Sequence, residues 1–146
     1  MAEIPQSVIL PGIPGRQHLA VANASVRLSD GSLLVGTKDD MLALVSDGEV
    51  RNEGALASAG PVHDLVLAPD GKTVYGVAGH DRGVGMLFRY TRKKGAELLG
   101  LVPEAASENG RTVALYRPTV LAVSPDGRYL AVGGDDDIGG VAVLGL

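Results

Sequence analysis

The chain has 146 residues, 21 of them Gly and 8 Pro, about a fifth of the total against roughly 12% in average proteins, which excludes a helical bundle and demands many turns between short elements. Hydrophobic residues at 45% and charged residues at 21% exclude intrinsic disorder, and four Tyr, one Phe and no Trp leave the core to Val, Leu, Ile and Ala. A formal charge of -4 argues against nucleic acid as a partner, because phosphate capture needs clustered cations, and the absence of Cys rules out a disulfide framework and thiolate chemistry.

The chain begins Met1-Ala2-Glu3-Ile4-Pro5-Gln6, without a basic leader or a long apolar run, and elsewhere Gly and Pro interrupt every stretch that approaches the roughly 20 apolar residues of a spanning helix. The expectation is a cytoplasmic chain that does not engage a membrane. The first predicted strand is Gln6–Leu10. It either pairs locally with His18–Val21 across Pro11-Gly12-Ile13-Pro14-Gly15 or completes a sheet begun elsewhere.

A repeat organises the rest. An Asp-Gly turn recurs at Asp30-Gly31, Asp70-Gly71 and Asp126-Gly127, each between two β-rich runs. Asp or the preceding Pro starts such a turn and Gly accepts the positive φ at its end, so each segment reads as a hairpin. A second turn follows at Lys38-Asp39-Asp40, at His80-Asp81-Arg82-Gly83 and at Asp135-Asp136-Asp137. Third strands are predicted at Met41–Val45, Gly85–Tyr90 and Gly140–Leu144. In the first two units the turns Ser46-Asp47-Gly48 and Arg92-Lys93-Lys94-Gly95 lead to fourth strands near Glu49–Ala55 and Ala96–Val102. The units are 24–59, 62–117 and 118–146, the third ending after its third strand. The first step of 40 residues between turns is the length of one four-stranded propeller blade. The second step is 16 longer, and its extra residues 103–110 read as a short helix or an ordered loop before the strand-like Thr112–Tyr116.

Ser124-Pro125-Asp126-Gly127-Arg128-Tyr129-Leu130-Ala131-Val132-Gly133-Gly134-Asp135-Asp136 resembles the inner hairpin of WD40-like and YVTN-type β-propeller repeats. Val35-Gly36-Thr37-Lys38-Asp39-Asp40-Met41-Leu42-Ala43-Leu44 is similar to quinoprotein-type repeats. The resemblance covers roughly residues 24–146 and implies an all-β fold of propeller blades, about three per chain. Closed propellers have 4–8 blades, so three make an incomplete ring. Either the chain is part of a longer protein or copies share a ring, for example a dimer with six blades. Gln6–Leu10 is the candidate closing strand.

In a propeller, the turns between second and third strands open on the same rim as the links into each first strand. That rim gathers Asp39, Asp40, His63, Asp64, His80, Asp81 and Arg82 as candidate ligand-binding residues, and Asp135, Asp136 and Asp137 as candidate ligands of a divalent cation, the one cofactor the residue types suggest. Each Asp also suits a structural role, capping backbone N–H groups within its own turn. No Gly-x-Ser-x-Gly elbow is present, and Gly79–Gly85 lacks the following helix of a phosphate cradle. The cations Arg89, Arg92, Lys93 and Lys94 fall on an outer turn, where they read as a solvated edge that discourages strand pairing. The leading expectation is therefore a non-enzymatic scaffold that binds itself and a protein or small ligand. The rival is a propeller hydrolase of lactonase type using a metal at the Asp/His rim.

Overall fold

The computed structural model describes residues 21–56, 60–79, 85–103, 105–106, 112–113, 118–134 and 141–146. Among them every regular element is a strand. β1 (Ala22–Arg27), β2 (Leu33–Thr37), β3 (Met41–Ser46) and β4 (Glu49–Ala55) form one antiparallel meander. β5 (Val62–Leu67), β6 (Val74–Ala78), β7 (Met86–Thr91) and β8 (Gly95–Leu101) form a second. The third sheet contains β9 (Ala105–Ala106), β10 (Thr112–Val113), β11 (Pro118–Val123), β12 (Tyr129–Gly134) and β13 (Val141–Gly145), in the order β10-β9-β13-β12-β11. Among the described residues, no helix is long and apolar enough to cross a membrane.

The Asp-Gly repeat is visible as three versions of one turn. At the first, Gly31 has φ 88° and the Asp30 carboxylate accepts hydrogen bonds from Ser32 N at 2.9 Å and Ser32 Oγ at 2.5 Å. At the second, Gly71 has φ 71° and Asp70 accepts from Lys72 N and Thr73 N, both at 2.8 Å, and from Thr73 Oγ1. At the third, Asp126 accepts from Ser124 Oγ and Arg128 N. In each case Gly supplies the left-handed conformation and Asp satisfies the amides that the reversal strips of partners.

Of the extra residues between the second and third repeats, Thr112–Val113 is a strand as expected, whereas Ala105–Ala106, expected in a short helix or ordered loop, is a strand instead. Ala105–Ala106 and Thr112–Val113 pair as a minimal hairpin, and Ala106 pairs with Val141 on the outer side of β13. A segment that precedes β11 in the chain thus fills the start of the fourth-strand position of the third sheet. The expected strand Gln6–Leu10 and its alternative partner His18–Val21, apart from Val21, lie outside the described residues.

The three sheets stand side by side with their first strands adjacent, β1 beside β5 and β5 beside β11. Two apolar layers hold them together. Leu28, Leu34, Leu42, Leu44, Val62, Leu65, Phe88 and Tyr90 fill the space between the first and second sheets. Val77, Leu87, Val102, Leu121, Leu130, Val132 and Ala142 fill that between the second and third. The second sheet is consequently buried on both faces at β7: Phe88 and Tyr90 point into one layer and Leu87 into the other, following the two-residue alternation of a strand. This is an all-β chain of three propeller-like blades that do not close a ring.

Candidate functional site

Antiparallel order sends the turns to two opposite ends of the blades. The rim nominated from sequence is the end where β2 passes to β3 and where β5 and β11 begin.

In the β2–β3 turn, Asp39 and Asp40 are half-buried. The hydroxyl of Thr37, itself fully buried, accepts from Asp39 N and Met41 N, both at 3.2 Å, and Asp40 adopts φ 56°. The amide of Leu56, just past β4, donates to the Asp40 carbonyl at 2.8 Å, which anchors the exit from the first blade to this turn. His63 and Asp64 stand at the start of β5. The His63 ring Nε2–H donates to the Gly79 carbonyl at 2.8 Å, because a carbonyl can only accept. The Asp64 carboxylate accepts from its neighbour Leu65 N at 2.9 Å and, across the blade boundary, from Leu121 N at 2.7 Å. Asp64 therefore ties the first strand of the second blade to the first strand of the third.

Structure thus brings Asp39, Asp40, His63 and Asp64 to the same end of the sheets, with His63 and Asp64 engaging backbone groups. His80, Asp81, Arg82, Asp135, Asp136 and Asp137 lie outside the described residues. Among the described residues, no group of three or more His, Asp or Glu side chains is placed to hold a metal ion.

The opposite end, where the Asp-Gly turns lie, carries a concavity among the described residues. A cleft of about 610 Å³ opens between the Asp30 turn of the first blade and two turns of the second, those at Asp70 and at Arg92–Lys94. Arg92 Nη1 donates to Asp30 Oδ2 at 2.5 Å, linking blades over 62 positions of sequence. Arg89 holds Glu97 through Nε at 3.0 Å and Nη2 at 2.9 Å. Hydrogen bonds from Ser32, then the Arg92 guanidinium, hold the Asp30 carboxyl down at about 2. The Thr73 and Lys72 donors likewise lower Asp70. Both are ionised near neutrality. Sequence reasoning gathered Arg89, Arg92, Lys93 and Lys94 but placed them on a solvated edge. Their convergence with Lys72 follows from the meander of one blade, but that with Asp30 depends on blade packing, for which local sequence carries no signal.

Near the Asp-Gly end of β7, the Tyr90 hydroxyl is buried beside Glu53 and Arg51. Burial, and then the Glu53 carboxylate, push its pKa up to about 12.

No protein-family model matches the sequence, and no curated protein matches it significantly. Solved structures do share the fold. A candidate 6-phosphogluconolactonase of Bacteroides uniformis superposes with a TM-score of 0.64 at 17% identity, over 94% of this chain and 41% of its own. Hydrazine synthase of Kuenenia stuttgartiensis gives 0.61 at 19% identity, over 84% of this chain and 33% of its own. The β-propeller domain of Swd1 from Myceliophteria thermophila gives 0.54 at 20% identity, over 86% and 41%. The chain therefore spans less than half the length of each of these structures, and the likeness is one of fold alone.

Proposed function

We propose that this chain is a non-enzymatic binding scaffold of WD40-like, YVTN-type repeats, an arc whose ring is completed by further blades, in the simplest arrangement those of a second copy. The observation that carries the reading is the outer face of the third blade. Val120, Tyr129, Val141 and Val143 are 57%, 51%, 52% and 65% exposed, and they share that face with Ala122, Ala131 and Gly133 through the cross-strand pairs Val120↔Gly133, Ala122↔Ala131, Ala131↔Val143 and Gly133↔Val141. No charged side chain interrupts these positions. The third strand of the second blade, where Phe88 and Leu87 are buried on opposite faces, is what such a surface becomes when another blade covers it.

The scaffold reading is further supported by the way His63 and Asp64 are spent on backbone partners, an arrangement that serves blade geometry without leaving an acid–base pair to a substrate. Light scattering tests the self-association: the expected mass is twice the 15.0 kDa of the chain, falling to that of the single chain in Val143→Lys. A folded monomer at tens of micromolar would refute completion by a second copy.

A further inference from the structure

We propose that the cleft at the Asp-Gly end of the first two blades is a binding site for a small multivalent anion, one carrying phosphate or carboxylate groups. The cleft lies at the end opposite the Asp/His rim, and its assignment is independent of how the ring is completed.

Charge distribution is the first argument. Five of the 13 cationic side chains of this acidic protein line the cleft, against three of its 17 carboxylates. The second is what those charges are doing. Arg89 is occupied by Glu97 and Arg92 by Asp30. Asp70 is filled by three donors from its own turn. Lys72, Lys93 and Lys94 are exposed and make no ion pair with a carboxylate among the described residues. The cleft's carboxylates are thus already committed to donors, whereas Lys93 and Lys94 are uncommitted among the described residues and Lys72 acts on Asp70 only at longer range.

The third argument is placement. Lys72 belongs to the β5–β6 turn, and Lys93 and Lys94 to the β7–β8 turn. Two turns of one blade therefore bring ammonium groups to one concavity, and the Arg92–Asp30 bridge fixes the facing turn of the neighbouring blade. Lysine ammoniums act on phosphate and carboxylate as mobile point charges with three donors each, so they accommodate a ligand with several anionic groups without demanding one planar geometry. Leu28, a residue of the first apolar layer, supplies an apolar wall for the body that carries those groups. The volume of about 610 Å³ falls within the roughly 300–1,000 Å³ usual for small-ligand sites.

Isothermal titration of the chain with sodium tripolyphosphate and, separately, with citrate distinguishes phosphate from carboxylate preference. One saturable site per chain is expected for at least one of them. Each ammonium within about 4 Å of an anionic group in water contributes roughly a fivefold effect, so Lys93→Gln/Lys94→Gln should weaken binding about 25-fold and adding Lys72→Gln about 100-fold. Raising salt from 50 to 300 mM should weaken it further. The control Lys38→Gln/Arg128→Gln removes the same charge from residues outside the cleft and should leave affinity within about twofold, by the same screening argument. Several outcomes would overturn the proposal: no saturable heat with either anion, equal losses in the cleft and control doubles, or binding confined to an acidic peptide titrated in parallel.

Discussion

Replacing Asp64 with Ala separates the structural role of this rim carboxylate from any role in ligand recognition. The carboxylate receives two backbone amides, Leu65 N at 2.9 Å within β5 and Leu121 N at 2.7 Å on β11 of the next blade. Hydrogen bonds to a charged acceptor are worth about 1.5–3 kcal/mol each, and a part-buried amide deprived of its acceptor carries a desolvation penalty of about 1–3 kcal/mol. Asp64 is half-buried, which places both bonds toward the lower ends of those ranges. The expected loss is therefore about 2–4 kcal/mol, a large share of the roughly 5–15 kcal/mol by which a domain is stable.

Urea unfolding followed by far-ultraviolet circular dichroism measures this directly. The midpoint should fall while the slope stays constant, since the same surface is exposed on unfolding. The two amides use different oxygens, Leu65 N the Oδ1 and Leu121 N the Oδ2, so Asp64→Asn keeps one neutral acceptor and turns an NH2 toward the other amide; it should recover about a quarter of the loss at most, because a neutral acceptor is worth roughly half a charged one. Hydrogen exchange at Leu121 should quicken in both variants, and more in Ala. A loss below about 0.5 kcal/mol for Asp64→Ala, the range of a neutral surface change, would refute the idea that this carboxylate staples the second blade to the third.

Two further outcomes follow from the same geometry. Asp30 is held at about 2 against an ordinary 3.8, and Asp70 and Asp126 are also lowered by their turn donors. A depressed folded-state value contributes stability that is full above the unfolded value and is lost as pH falls through the folded one. The melting temperature should hold above about pH 5, fall between about pH 4 and 2, and fall less in Asp30→Asn/Asp70→Asn/Asp126→Asn; parallel profiles would contradict the assignment. Gly36 of β2 approaches Val62 of β5 so closely that a Cβ would overlap the valine side chain. Gly36→Ala should cost about 1–3 kcal/mol by overpacking, and Val62→Ala in the same chain should offset part of that cost, a coupling that a double-mutant cycle reads out. Strictly additive effects would mean that this contact does not set the blade spacing.

Local chemistry made the hairpins readable. Each Asp-Gly turn combines a residue whose side chain caps free amides with one that tolerates positive φ, and the flanking runs are apolar. The predicted third and fourth strands accordingly match β3, β4, β7, β8 and β13 to within a residue or two. β10 fell within the strand-like Thr112–Tyr116, but β9 was not legible because two residues leave no period to detect, and its partner Val141 is 35 positions away from Ala106. Gly36 reads in sequence as an ordinary strand glycine, and only the approach of Val62 explains why a side chain is excluded there. The rim candidates were placed at a common end by topology alone. What sequence did not contain is how Asp64 is used, since its partner Leu121 lies 57 positions on.

The same blade spacing accounts for where an unfilled space arises. First strands of neighbouring blades touch, β1 with β5 and β5 with β11, whereas the outer strands β4 and β8 make much slighter contact. Sheets that meet along their inner strands and diverge outward leave a wedge, and close packing requires larger side chains where the wedge widens. The chain meets that requirement with its only Phe and a buried Tyr, Phe88 and Tyr90, both fully buried on the third strand of the second blade. Beyond them, at the Asp-Gly end, the positions that continue into the turn are Arg92, Lys93 and Lys94. Charged side chains cannot be packed dry as Phe88 is, because each would need a partner to offset its desolvation. Arg92 has one in Asp30; the two lysines have none among the described residues. The wedge therefore stays open at this end, and the concavity is cationic because the residues that terminate the apolar filling are lysines.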